Sequence, residues 1–236
     1  MGDDDAEFEF WDRLGNEFYS EEFSDVTITC DTKTWKLHRV ILCQHSPWFR
    51  AALSGAYFKE AQSQQISLHD EDPRILEPVL KWMYSNQPVP DTLEGFPNPY
   101  VLLLEQFRVA DFFQMPYLQN VIKGMIVNGF KSDFKGKADV YPDLTNGVES
   151  SAVSQFVEGL KHACDIFGAD KESKLFTCLI ECCLRIFPLL MISTSYGDLI
   201  SSDNGHVFLG SRVMANYCFG IVHKQSKYIP LQWIVW

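Results

Sequence analysis

At 236 residues, with 46% apolar and 22% charged content, the chain is long enough for one large domain or a smaller domain with an extension, and too apolar for global disorder. The net charge of −11 is unevenly placed: residues 1–22 hold nine acids against Arg13, a net −8, which leaves −3 for all the rest. No basic stripe remains to neutralise phosphates, so direct nucleic-acid binding is not expected, and the longest apolar run, Ile186 to Ile192, is far too short to span a bilayer.

The chain starts with an acidic stretch without an apolar run, so no secretory leader is expected, and Ala6 stands where an N-terminal acylation signal needs Ser or Thr. Seven cysteines in such a chain read as reduced, mostly buried thiols, with cytosol or nucleus as the expected location. Phe10, Trp11, Leu14 and Phe18 recur at helical spacing, which predicts a short helix over 9–19. Val26, Ile28 and Cys30 alternate with Thr27 and Thr29, the period of a half-buried strand; a polar turn from Asp31 leads to a second strand over 34–37, giving a hairpin.

His38 to Cys43 reads as a short helix. Ser46-Pro47 opens another that ends near Gly55, because serine accepts from the free N–H groups of a first turn and proline there has no N–H to lose. Gln65 to Leu68 reads as a third strand. Asp72-Pro73 repeats the cap-and-proline signal, and Ile75, Leu76, Val79, Leu80 and Met83 line one face of a helix to about Tyr84. Pro78 lies inside that helix and predicts a kink or a first turn that is not α-helical. Four prolines between residues 87 and 99 mark a loop. Asn98-Pro99 starts a helix to about Phe113 with Val101, Leu104, Phe107 and Phe112 near one face, Met115-Pro116 breaks it, and a further helix closes at Asn128-Gly129. Residues 129–150 read as a linker. Helices are expected over 152–167 and from Asp170 to Phe187, the second stopped by Pro188, with another over 211–224; the apolar end, Leu231 to Trp236, calls for a surface to pack on.

Ser24-Asp25-Val26 with His38-Arg39, the Ser46-Pro47-Trp48-Phe49 helix start, Trp82-Met83-Tyr84, and the run Ala110 to Met115 together resemble the BTB/POZ domain, a protein-interaction fold. The resemblance covers about 10–128 and implies an α+β fold, a small β-sheet packed against helical hairpins, followed by an α-helical C-terminal region. The organisation expected is an acidic tail over 1–7, a BTB/POZ domain over 8–128, a linker over 129–150 and a helical extension over 151–236. The resemblance further implies homodimerisation, with Phe10, Trp11, Leu14 and Phe18 at the dimer interface and Asp25 with Arg39 as a partly buried charged pocket near it. In that family a cullin docks on the end of the third helix and on the fourth and fifth, which carries over to Tyr84, Gln87, Phe107, Phe113 and Tyr117. Ser85-Asn86 and Pro78 depart from the family's pattern on that side.

No glycine-rich phosphate loop is present, the carboxylates Asp70, Glu71 and Asp72 are better explained as helix capping than as acid–base pairs, and His38 reads as a structural residue. Cys178, Cys182, Cys183, Cys164 and His162 lack zinc-site spacing. The sequence thus reads as a non-enzymatic adaptor with no cofactor, metal or catalytic residues. Its expected partners are a second copy of itself, a cullin, and an unidentified protein substrate or regulator. An oligomerisation scaffold without a ubiquitin role remains an alternative, and a Cys/His metal- or thiol-dependent enzyme a remote one.

Overall fold

The computed structural model describes residues 15, 18–54, 58–87, 89–135, 150–167, 174–201 and 213. Two compact units divide the chain, 1–125 and 126–236.

The first unit is built on three strands, β1 (Val26–Cys30), β2 (Lys33–Leu37) and β3 (Gln65–Leu68), in the order β2-β1-β3. β1 and β2 form the expected hairpin, Val26 opposite Leu37 and Cys30 opposite Lys33, closed by a tight turn in which Asp31 takes a left-handed φ of 51°. β3 returns parallel to β1, Ile28 opposite Ile66. Every second residue of β1 is buried, because successive side chains on a strand point to opposite faces.

Helices α1 (Arg39–His45), α2 (Pro47–Ser54) and α3 (Lys59–Ser63) form the crossover between the parallel strands. α3 has no counterpart in the sequence reading; its five residues bury none of their side chains and so leave no apolar period to read. The buried Ser46 joins two parts of the fold: its hydroxyl donates to the Phe113 carbonyl at 2.6 Å and accepts from the Phe49 amide at 3.1 Å.

α4 (Pro73–Ser85) starts on Asp72, whose carboxylate accepts from the Arg74 amide at 2.8 Å. Pro78 does not break it: the helix is continuous from 73 to 85, against the expected kink or irregular first turn. The amide missing at Pro78 leaves the Arg74 carbonyl without its helical donor, but Ile75, Leu76, Val79, Leu80, Trp82 and Met83 are all buried, and that apolar face outweighs one lost bond. α5 (Pro99–Phe112) is capped by Asn98, which accepts from the Tyr100 and Val101 amides. It ends with Gln114 in a left-handed conformation and the Met115 amide bonded back to the Ala110 carbonyl.

α6 (Pro116–Asp133) runs past Asn128-Gly129, where the sequence predicts its end, and the division between the two units falls within it. Gly129 is exposed there, and a Cβ added to it would meet nothing within 4 Å. In the second unit, Phe130 and Phe134 pack on Phe156 of α7 (Ser151–Phe167), with ring centroids 5.1 and 6.2 Å away. α8 (Lys174–Arg185) stops before Pro188, and that proline then sits in the first turn of a separate short helix, α9 (Phe187–Leu190), rather than ending a long one. α10 (Thr194–Ser201) buries Tyr196 and Leu199. Val213 is helical and buried; the rest of the helix expected over 211–224, the Asp170 cap, and the 231–236 tail lie outside the described residues. Among the described residues no helix is long and apolar enough to cross a membrane.

Candidate functional site

The N-terminal side of the first unit is organised by Tyr84, the last aromatic of α4. Its hydroxyl accepts from the His38 amide at 2.8 Å and lies 3.1 Å from His38 Nδ1, while His38 Nε2 is 2.8 Å from the Glu22 carbonyl. The Nε2–H tautomer satisfies all three contacts, with Tyr84 donating to Nδ1 and Nε2–H donating to Glu22. His38 is thus the structural residue the sequence suggests. Burial pushes the Tyr84 hydroxyl up to about 12.

Phe18 is buried in its own chain, edge-on to the Tyr84 ring with centroids 5.5 Å apart. Of the four expected dimer residues it is the one described; Phe10, Trp11 and Leu14 lie outside the described residues. Asp25 and Arg39 are brought together, but not as the expected charged pocket. The Arg39 backbone amide donates to Asp25 Oδ1 at 2.7 Å, Asp25 is exposed, and the two side chains form no ion pair. Asp25 serves here to satisfy an amide at the start of α1, the role of a capping carboxylate. Phe23 and Val40, close in the chain to these two residues, are exposed.

Three of the five residues assigned to cullin docking belong to the core and not to a surface. Tyr84 is 1% exposed, Phe113 is fully buried and Phe107 is 8% exposed. Phe113 stacks on Phe49 at 4.7 Å, so it closes the core between α2 and the end of α5. Gln87 is exposed, and Tyr117 is 69% exposed, its ring tilted beside that of Trp82 with centroids 5.8 Å apart.

At the end of α5 it is Phe112 that reaches solvent, the residue the sequence places near one face with Val101, Leu104 and Phe107. It is 43% exposed and lies 5.2 Å from the half-buried Trp48 ring. Phe113, the residue that caps α5, is buried by its stack on Phe49, while Phe112 keeps part of its ring in solvent. Trp48, Phe112 and the exposed Phe58 line an open groove of about 570 Å³ with the outer end of β3 and the acids Glu60, Asp70 and Glu71. Glu71 is held by Arg108, whose guanidinium donates to both its oxygens at 3.0 and 2.7 Å and also to Glu105. The groove is aromatic with an acidic rim, a surface suited to protein contacts. Among the described residues no three His, Cys, Asp or Glu side chains converge as metal ligands.

The first unit thus combines a small sheet, capped helices and an open aromatic groove. The family model for the BTB/POZ domain matches residues 14–129, so the chain carries a BTB/POZ domain over that span. Mouse Kelch-like protein 41 is 28% identical over 110 residues, 46% of this chain and 18% of that protein. Human BTB/POZ domain-containing protein 9 is 30% identical over 76 residues, 32% of this chain and 12% of that protein. The chain therefore spans less than a fifth of the length of these curated relatives. The BTB domain of zebrafish PATZ1 superimposes with a TM-score of 0.41 at 18% identity, covering 54% of this chain and 97% of that one.

Proposed function

We propose that this protein is a non-enzymatic adaptor that homodimerises through its N-terminal region and brings a bound protein to a cullin-type ubiquitin ligase, in the cytoplasm or nucleus. The assignment of residues 14–129 to the BTB/POZ family carries the reading. The exposed Phe58, Phe112 and Tyr117 and the half-buried Trp48 support it, since they offer large apolar area on one unit, the kind of anchor that dominates interface energies. The second unit would hold the recruited protein. Exposed Phe23 and Val40, beside the Asp25–Arg39 contact, favour self-association as the part shared with a scaffold lacking a ubiquitin role.

The deciding experiment is light scattering on the purified protein at several concentrations, alone and with a cullin N-terminal domain. A dimer that shifts to a larger defined complex, and fails to do so with Phe58→Ala and Tyr117→Ala combined, is expected. A dimer indifferent to the cullin leaves the scaffold reading. A monomer at every concentration removes both.

A further inference from the structure

The sheet has two outer strands, and they are finished differently. β2 carries Lys33 and Lys36, ion-paired to Glu77 and Glu21, and lysine on an outer strand discourages a further strand from adding. β3 (Gln65–Leu68) has no lysine, arginine or proline, and among the described residues no strand pairs with its free edge. The phase of that edge follows from one bond. The Thr27 amide donates to the Gln64 carbonyl at 3.0 Å, so in the parallel ladder the backbone groups of Ile66 face β1 and those of Gln65 and Ser67 face away. The Gln65 amide already donates to Ser63 Oγ at 3.3 Å. The Ser67 hydroxyl is turned back towards β1, accepting from Thr29 Oγ1 at 3.0 Å, and its amide and carbonyl have no backbone partner among the described residues. They lie along the aromatic groove. Ile66, Ser67 and Leu68 all line it, although successive strand side chains point to opposite faces, and three consecutive residues share a groove only along their backbone edge.

We propose that the β3 edge and this groove receive an extended basic peptide segment of a partner protein, which adds to the sheet as a fourth strand. The segment exchanges backbone hydrogen bonds with Ser67, and its alternate apolar side chains seat among Trp48, Phe58 and Phe112. Four residues of strand supply few bonds, so the groove of about 570 Å³ supplies most of the contact area. The rim fixes the charge of the partner. Glu60 and Asp70 have no ion-pair partner among the described residues, whereas Glu71 is neutralised by Arg108. A lysine or arginine in the segment answers them. A second copy of this edge would bring the same two acids, and like charges disfavour it. The site stands whether or not a cullin binds.

The test is hydrogen exchange followed by NMR on the full chain, with a six-residue peptide of alternating lysine and valine as the probe. In the free protein the Ser67 amide is expected to exchange fast and the Ile66 amide slowly; saturating peptide is expected to slow Ser67 by about tenfold or more. The same peptide with glutamate for lysine should not bind, and Asp70→Lys, at an exposed position, should weaken binding of the lysine peptide about tenfold. The proposal is overturned by a lack of saturable binding, by binding that leaves Ser67 exchange unchanged, or by equal binding of the acidic peptide. A Ser67 amide already slow in the free protein also overturns it, and protection that grows with protein concentration would make the occupant a second copy. The wild-type reading at Ser67 does not depend on how the variant folds, and its failure leaves the cullin reading as it stands.

Discussion

Tyr84 and the Phe112-Phe113 pair show how much depends on which way single side chains face. Tyr84 accepts from the His38 amide in a buried place, so Tyr84→Phe should cost about 1–3 kcal/mol, the price of an unsatisfied buried donor, read from denaturant unfolding. Its raised pKa also sets a pH dependence. The folded hydroxyl stays protonated to about 12 while an unfolded tyrosine ionises near 10, so its contribution is intact below pH 10 and is lost as pH rises towards 12. The fall in stability over that interval should be shallower in Tyr84→Phe. The aromatics divide in the same manner. Phe113→Ala and Phe49→Ala should each lose about 3–5 kcal/mol, because they empty a stacked core position. Tyr117→Ala should stay within about 0.5 kcal/mol, since its ring is mostly in water. A Tyr117 variant as unstable as Phe113→Ala would mean that its ring is covered. At the charged end of the same scale, Arg108→Gln leaves Glu71, with its side chain 9% exposed, without the guanidinium that engages both oxygens. A loss of about 1–3 kcal/mol is expected, reduced from the fully buried case because Arg108 is partly in solvent.

Element by element, what the sequence disclosed was whatever rests on local chemistry. Asp72-Pro73 and Asn98-Pro99 announce helix starts through neighbours two residues away, and both caps are formed. The alternation in β1 survives for the same reason, since a period of two is imposed by the strand itself. What it did not disclose depends on distant partners. The burial of Tyr84 needs His38 and Phe18, that of Phe113 needs Phe49, and none of these three partners is near in the chain. Of the residues assigned to docking, Gln87 and Tyr117 are exposed and Tyr84, Phe107 and Phe113 are buried, because an aromatic at a helix end serves core and interface equally well until its neighbours are known. Pro78 was read by its intrinsic penalty, and the packing of α4 overrode it. Pro78→Ala should therefore stabilise the protein by about 1 kcal/mol, as the new amide meets the Arg74 carbonyl and the gain exceeds the chain freedom returned to the unfolded state. A lower unfolding midpoint in that variant would show that the carbonyl is already satisfied.

For the whole molecule, charge placement bears on assembly. Residues 1–22 hold a net −8, and the proposed dimer brings two such segments together. Screening acts over about 10 Å at 0.1 M salt and about 3 Å at 1 M. Association measured by sedimentation should therefore tighten as salt rises from low to high, the reverse of an interface held by opposite charges. Weakening under salt would place the contact away from these segments.

The central position of β1 also has a consequence in time. Its partner β2 is reached through a tight turn at Asp31, a closure of the kind completed in about 1–10 μs. Its partner β3 lies beyond α1, α2 and α3, so the parallel ladder cannot zip until that whole excursion has been drawn in. One strand thus has a fast edge and a slow one. Pulsed hydrogen exchange during refolding should find the amides shared by β1 and β2 shielded first and the Thr27 amide, bonded to the Gln64 carbonyl, shielded later; until then the face that β3 will occupy stands open to any other extended chain.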